Sequence, residues 1–221
     1  MRWEVIFDNW ERLAGGLGTT FQLVALALII GAALALVVAM ARISQNPLLA
    51  WVGRGYIFFF RGTPLLVQLF LFYYGLPQVL SFLTQINGVT AAIMGLTLHF
   101  SAYMAESIRA AILGVDRSQW EAAQSIGMTQ PQMMRRIILP QATRVAAPTL
   151  VNYFIDMIKG TSLAFTLGVT EMMGAAQKEA AGSFLYFEAF LVVALVYWAM
   201  VELLSQGQSW LEAQLNKAYV R

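Results

Sequence analysis

The sequence predicts an all-α membrane protein of about five transmembrane helices, and three observations predict it. Of 221 residues, 59% are hydrophobic and only 12% are charged, where soluble domains carry roughly a quarter. Mean hydropathy is +0.64. The apolar residues are grouped in runs of about 20, the length at which an α-helix crosses a bilayer. Residues 1–221 therefore read as a single transmembrane domain with short connections.

The first 15 residues (MRWEVIFDNWERLAG) interleave Trp3, Phe7 and Trp10 with Glu4, Asp8 and Glu11. That mixture predicts an interfacial amphipathic segment over 1–15, and argues against a cleavable signal peptide. The first span runs from about Thr19 to Ala41 without an ionisable side chain; Gly31, Ala32, Ala35 and Ala39 would admit another helix at close range. The second, about Gly55 to Leu80, contains Pro64, which should kink or restart it. The third, about Val89 to Leu113, carries His99, Glu106 and Arg109, and the fourth, about Thr143 to Leu163, carries Asn152, Asp156 and Lys159. The fifth, about Phe184 to Leu204, is bounded by Glu188 and Glu202.

Short loops rich in Lys and Arg stay in the cytoplasm. Arg42, Arg54 and Arg61 follow span one, and Arg117, Arg135, Arg136 and Arg144 follow span three, whereas the loop after span two has no basic residue. The N-terminus is therefore expected outside, with both basic loops, Lys217 and Arg221 in the cytoplasm and Lys178 outside.

The segment of about 114–142 is too polar to span and too long for a simple turn. Ser118 with Glu121 has the capping-box spacing, and Gly127 stands where a helix C-terminus needs a left-handed residue. Thr129 with Gln132 repeats the box, Pro131 fits a first turn, and the run from Met133 to Leu139 should stop at Pro140. Two short cytoplasmic helices are expected, the first presenting Glu121, Ala122, Ala123 and Gly127 as a small-residue knob for another protein or serving simply as a capped surface helix.

Charge and chemistry exclude several classes. The 14 Lys and Arg against 12 Asp and Glu are scattered and form no nucleic-acid patch. The chain has no cysteine, and no metal-ligand spacing or nucleophile-base pair is evident, so no catalytic or metal site is expected. It has no G-x-x-x-x-G-K-[ST] loop to hold ATP phosphates.

His99, Tyr103 and Glu106 share one face of span three, and Asn152, Asp156 and Lys159 share one face of span four. Charges inside a membrane usually face a cavity or a partner. These residues either line a polar path or close on themselves as Glu106–Arg109 and Asp156–Lys159 ion pairs. As path residues, Glu106 and Asp156 suit a cationic amino acid, with Lys159 opposing that choice.

The stretch EAAQSIGMTQPQMMRRIILPQA (121–142) closely resembles the cytoplasmic signature of permease subunits of bacterial ATP-binding-cassette importers. RGTPLLVQLFLFYYGLP (61–77), YMAESIRAAILGVDRSQWEAAQSIGM (103–128) and KGTSLA (159–164) resemble its polar amino acid branch. The resemblance extends from Gly15 past Glu202 and implies a type I importer permease fold and ATP-driven import of polar amino acids by alternating access. It implies that Glu121, Ala122, Ala123 and Gly127 form the coupling helix that docks on the ATPase. It also implies an ATPase dimer holding ATP and Mg, a second permease of the same or a homologous sequence, an extracytoplasmic binding protein and a location in the bacterial inner membrane. No cofactor is expected on this chain. One departure is Gly160, where relatives usually have an acidic residue. The rival reading, an ion-gradient transporter or channel for small polar solutes, finds no inverted repeat, and an odd number of spans does not divide into two halves.

Overall fold

The computed structural model describes residues 10–216. Residues 1–9 of the expected interfacial segment, and Lys217 and Arg221, lie outside the described residues. The described residues contain no strand. The elements, in chain order, are α1 (Trp10–Ile43), α2 (Pro47–Gly62), α3 (Leu65–Phe70) with a π-turn over Leu71–Gly75, α4 (Leu76–Val79), a 3-10 turn Ser81–Leu83, and α5 (Gly88–Leu113). There follow α6 (Arg117–Ser125), α7 (Gln130–Met133), a π-turn Met134–Ile138, α8 (Leu139–Gly160), a 3-10 segment Thr161–Leu167, α9 (Met172–Ser183) and α10 (Tyr186–Asn216).

Three of these helices are long and apolar enough to cross a membrane: residues Ala14–Ile43 of α1, Gly88–Leu113 and Tyr186–Gln214. The expected second span is a broken one, with Pro47–Gly62 and Leu65–Val79 meeting at 107°. It also begins at Pro47 and not near Gly55, because Asn46 caps Leu48 N–H at 2.9 Å and Pro47 suits the first turn. The helix α8, of 22 residues, is about 33 Å long at 1.5 Å per residue. It is less apolar than the three because Arg144, Asp156 and Lys159 lie on it.

The core is the packing of α1 on α5. Ala27, Gly31, Ala35 and Ala39 form an i, i+4 stripe and are buried, whereas Ala32 is exposed. A Cβ at Gly31 would come within 3.3 Å of Met104 Cε and 3.5 Å of the Thr97 carbonyl, so the small side chains set the helix separation.

Pro64 breaks α2 from α3 by the expected physics. A residue before proline is driven out of the helical region, and Thr63 sits at φ −117°, ψ 144°. The carbonyls this frees inside a membrane must be satisfied by the protein. Gln68, 1% exposed, supplies the donors: its Nε2 donates to Phe60 O and Thr63 O, each at 3.0 Å, and lies 2.7 Å from Thr63 Oγ1.

At Pro140 the outcome differs from the expected stop. The backbone widens over Met134–Ile138, where Leu139 N–H reaches Met134 O in an i→i+5 bond, and α8 continues with Pro140 in its first turn. A π-turn absorbs the missing N–H and the ring, which would collide with a regular helix.

The helix α9 lies within the segment read from sequence only as the Lys178 loop. Its N-cap is Glu171, fully buried, which accepts from Met173 N–H at 3.0 Å, Gly174 N–H at 2.8 Å and the Tyr197 hydroxyl at 3.1 Å. Thr20 of α1 accepts from Met172 N–H at 3.2 Å. One capping site thus ties α1, α9 and α10.

Candidate coupling surface and polar pocket

The helix α6 is held by caps at both ends, though not the start its sequence suggested. Asp116, not Ser118, is the N-cap: its Oδ1 accepts from Ser118 N–H at 2.8 Å. That bond holds the Asp116 carboxyl below the usual carboxylate range. Glu121 does not close a capping box but accepts from Arg117 Nε at 3.0 Å. An Asp two residues earlier reaches the free N–H groups first, which displaces Ser118.

At the other end Gly127 is left-handed, φ +75°, with Gly127 N–H to Gln124 O at 2.9 Å and Met128 N–H to Ala123 O at 3.1 Å. This is a Schellman stop, and glycine takes it without a Cβ clash. Thr129 N–H then donates to Gln132 Oε1 at 2.9 Å, the expected second capping box.

Of the four expected knob residues, Glu121, Ala122 and Gly127 are exposed, but Ala123 is 1% exposed. Ala123 belongs to one buried cluster with Ile112, Val115, Met133, Ile138 and Ala142, and α6 is held chiefly against α7 and the π-turn Met134–Ile138. Its small side chain serves the contact beneath the helix instead of the outer face. Sequence reasoning missed Ile126, 77% exposed. It lies four residues after Ala122, on the same face, and that spacing was the available signal.

The residues expected on a path separate into three environments. His99 Nδ1 lies 3.2 Å from Gln68 Oε1. Because Gln68 Nε2 must face the Phe60 and Thr63 carbonyls, its oxygen faces His99 and Nδ1 carries the proton. His99 thereby steadies the α2–α3 break.

Tyr103 and Glu106 line an open pocket of about 410 Å³ with Arg42, Arg54 and Arg61. The Arg61 guanidinium stands over the Tyr103 ring, 5.2 Å from its centre. Glu106 is bound bidentately by Arg109, with Nε–Oε2 at 3.0 Å and Nη2–Oε1 at 2.5 Å.

Asn152 and Asp156 do not line this pocket. They stand on an exposed face of α8, with Asp156 paired to Lys159 at 2.7 Å. Tyr153, one position along, does face α5: its ring lies 5.7 Å from Tyr103 and its hydroxyl accepts from Ser107 Oγ at 3.3 Å. A shift of one residue turns a helical side chain by about 100°, so Tyr153 and Asn152 cannot face the same neighbour.

Trp51 and Trp198 are exposed, while Tyr56 ties α2 to α5 through Leu98 O at 2.9 Å. At Gly160, the departure from the family pattern, a Cβ would come within 3.3 Å of both Leu65 and Phe100. That position packs tightly where α8, α3 and α5 meet.

Residues 27–217 match the model of the family described as binding-protein-dependent transport system inner membrane component. The chain belongs to this family. As a permease it is 62% identical over 205 residues to the probable amino-acid ABC transporter permease protein PatM of Vibrio harveyi, covering 93% of this chain and 92% of that one. It is 44% identical over 217 residues to the probable amino-acid permease protein YxeN of Bacillus subtilis, covering 98% and 97%. A solved amino acid ABC transporter with histidines shares the permease's fold at a TM-score of 0.91 and 36% identity, covering 97% of this chain and 99% of that one.

Proposed function

We propose that this inner-membrane permease conducts a polar amino acid by alternating access, driven by a separate ATPase dimer on its cytoplasmic side. The observation that carries the reading is α6: a helix capped at both ends, fastened to the bundle by Ala123 and presenting Glu121, Ala122, Ile126 and Gly127 outward. Such a rigid knob suits a groove on another protein, and the amino-acid permeases with which this chain shares most of its length support the substrate class. ATP and Mg belong to the partner, since this chain has no phosphate loop. The basic loops support a cytoplasmic α6 and an N-terminus outside.

The exposed Asn152–Asp156 face of α8 suits a second permease subunit, which would complete the polar path begun by Tyr103 and Glu106; an extracytoplasmic binding protein delivers the substrate. Affinity purification from native membranes in mild detergent tests the division of labour. An ATPase should co-purify, and be lost in Ile126→Asp while the permease stays in the membrane. A permease that transports with no ATPase attached would overturn the reading.

A further inference from the structure

The polar pocket carries more positive charge than a zwitterion requires. Its lining brings Arg42 from the end of α1, Arg54 and Arg61 from one face of α2, and Tyr103 and Glu106 from α5. None of the three arginines reaches a carboxylate within ion-pair distance among the described residues. The one lining carboxylate, Glu106, is neutralised by Arg109 of its own helix through two hydrogen bonds. Three guanidinium charges therefore remain in the pocket.

Two of these side chains are positioned. The Arg42 stem crosses Gly53 of α2 so closely that a Cβ there would stand 3.0 Å from Arg42 Cγ, and Arg42 Nε is buried without a hydrogen-bond partner. Arg61 is seated over the Tyr103 ring, 5.2 Å from its centre. A cleft lined mainly by charges of one sign raises the local concentration of ligands of the opposite sign. A guanidinium fork matches a carboxylate bidentately. One fork suffices for the α-carboxylate that every amino acid carries, which leaves guanidinium donors for a second acidic group.

We propose that this pocket selects an amino acid with an anionic side chain, such as a dicarboxylic one, with Arg42, Arg54 and Arg61 as the specificity-determining residues. The inference rests on the amino-acid permease reading above and reverses the cationic preference that Glu106 and Asp156 suggested from sequence.

The test uses the permease–ATPase complex purified without its binding protein, so that the delivery step cannot impose its own selectivity. Binding of glutamate, glutamine and lysine is measured by calorimetry. Glutamate should bind at least about tenfold tighter than glutamine, a gap of about 1.4 kcal/mol, with lysine weakest. Arg42→Gln and Arg61→Gln should each reduce the glutamate-over-glutamine ratio about tenfold. Gly53→Ala, which leaves every charge in place but displaces the Arg42 stem, should lower the same ratio while the complex stays assembled. Equal or stronger binding of glutamine or lysine overturns the proposal and leaves the permease reading standing. If native mass spectrometry finds an anionic phospholipid lost in Arg42→Gln and Arg61→Gln and undisplaced by glutamate, the pocket is a lipid headgroup site and the proposal falls. If the complex takes up no amino acid even with its binding protein restored, the permease reading falls as well.

Discussion

Replacing Gln68 by Met keeps the length and apolar bulk of the side chain and removes only its amide. The amide carries two protons and one acceptor, which satisfy Phe60 O and Thr63 O and accept from His99. At about 0.6 kcal/mol for each membrane hydrogen bond, three bonds give close to 2 kcal/mol. If the two carbonyls stay dry at about 1–3 kcal/mol each, the loss reaches about 2–6 kcal/mol. A destabilisation of about 2–4 kcal/mol is therefore expected, read from the denaturation midpoint of the purified subunit in mixed micelles. His99→Ala should lose part of the same energy, and the double variant should lose less than the sum, since both changes remove one shared bond. A Gln68→Met protein within about 0.5 kcal/mol of the parent, the usual range of surface substitutions, would show that the break at Pro64 is held by something other than this side chain.

Three further outcomes are expected. A periplasm-active reporter fused after Gly88 should be active and one fused after Ser125 inactive; the reverse would overturn the orientation and the cytoplasmic placement of α6. Glu121→Lys, Ile126→Asp and Gly127→Asp should leave the protein in the membrane but uncouple uptake from ATP hydrolysis, and normal uptake by all three would remove the docking role. Glu171→Ala should destabilise the subunit by about 1–2 kcal/mol through loss of the α9 cap, measured in the same micelle assay, whereas an unchanged midpoint would mean that Tyr197 and Thr20 do not depend on it.

Periodic apolar runs and proline chemistry made much of this fold legible. Of the four small residues of the first span, Gly31, Ala35 and Ala39 are buried and Ala32 is not, and Pro64 broke the second span. The misreadings share a physical origin: competition between local signals that only tertiary packing decides. Ser118 with Glu121 was a sound capping box until Asp116 took the free N–H groups. Pro140 was a sound stop until a π-turn absorbed it. Glu171 gave no signal in the sequence because its partners Thr20 and Tyr197 are distant along the chain. The pocket was half legible for the same reason. Tyr103 and Glu106 declared themselves on one helix face, but the arginines that reverse the pocket's charge were counted only as markers of orientation.

The helix α5 joins the two halves of the proposed function physically. Tyr103 and Glu106 line the pocket, and Ala111 and Ile112 at the end of the same helix share one buried cluster with Ala123 of α6, which follows α5 after three residues. From Glu106 to Ile112 is six residues, about 9 Å along an unbroken helix. A force applied to α6 by an ATPase need not travel through a chain of loosely coupled side chains; it acts on the end of a rigid element whose middle forms the pocket wall. Arg61 lies two residues before the extended Thr63 at the α2–α3 break, and the break is braced by Gln68 against His99, which is also on α5. Both the wall and the brace therefore refer to one helix, so a displacement of α5 relative to α2 and α3 changes the Arg61–Tyr103 separation or strains the Gln68–His99 bond. Cross-linking a Cys pair at positions 31 and 97, where a Cβ on α1 would stand 3.8 Å from Thr97 Cα of α5, should accordingly block transport while leaving ATPase docking at α6 intact, and uptake at the parental rate in the cross-linked protein would refute α5 as the moving wall.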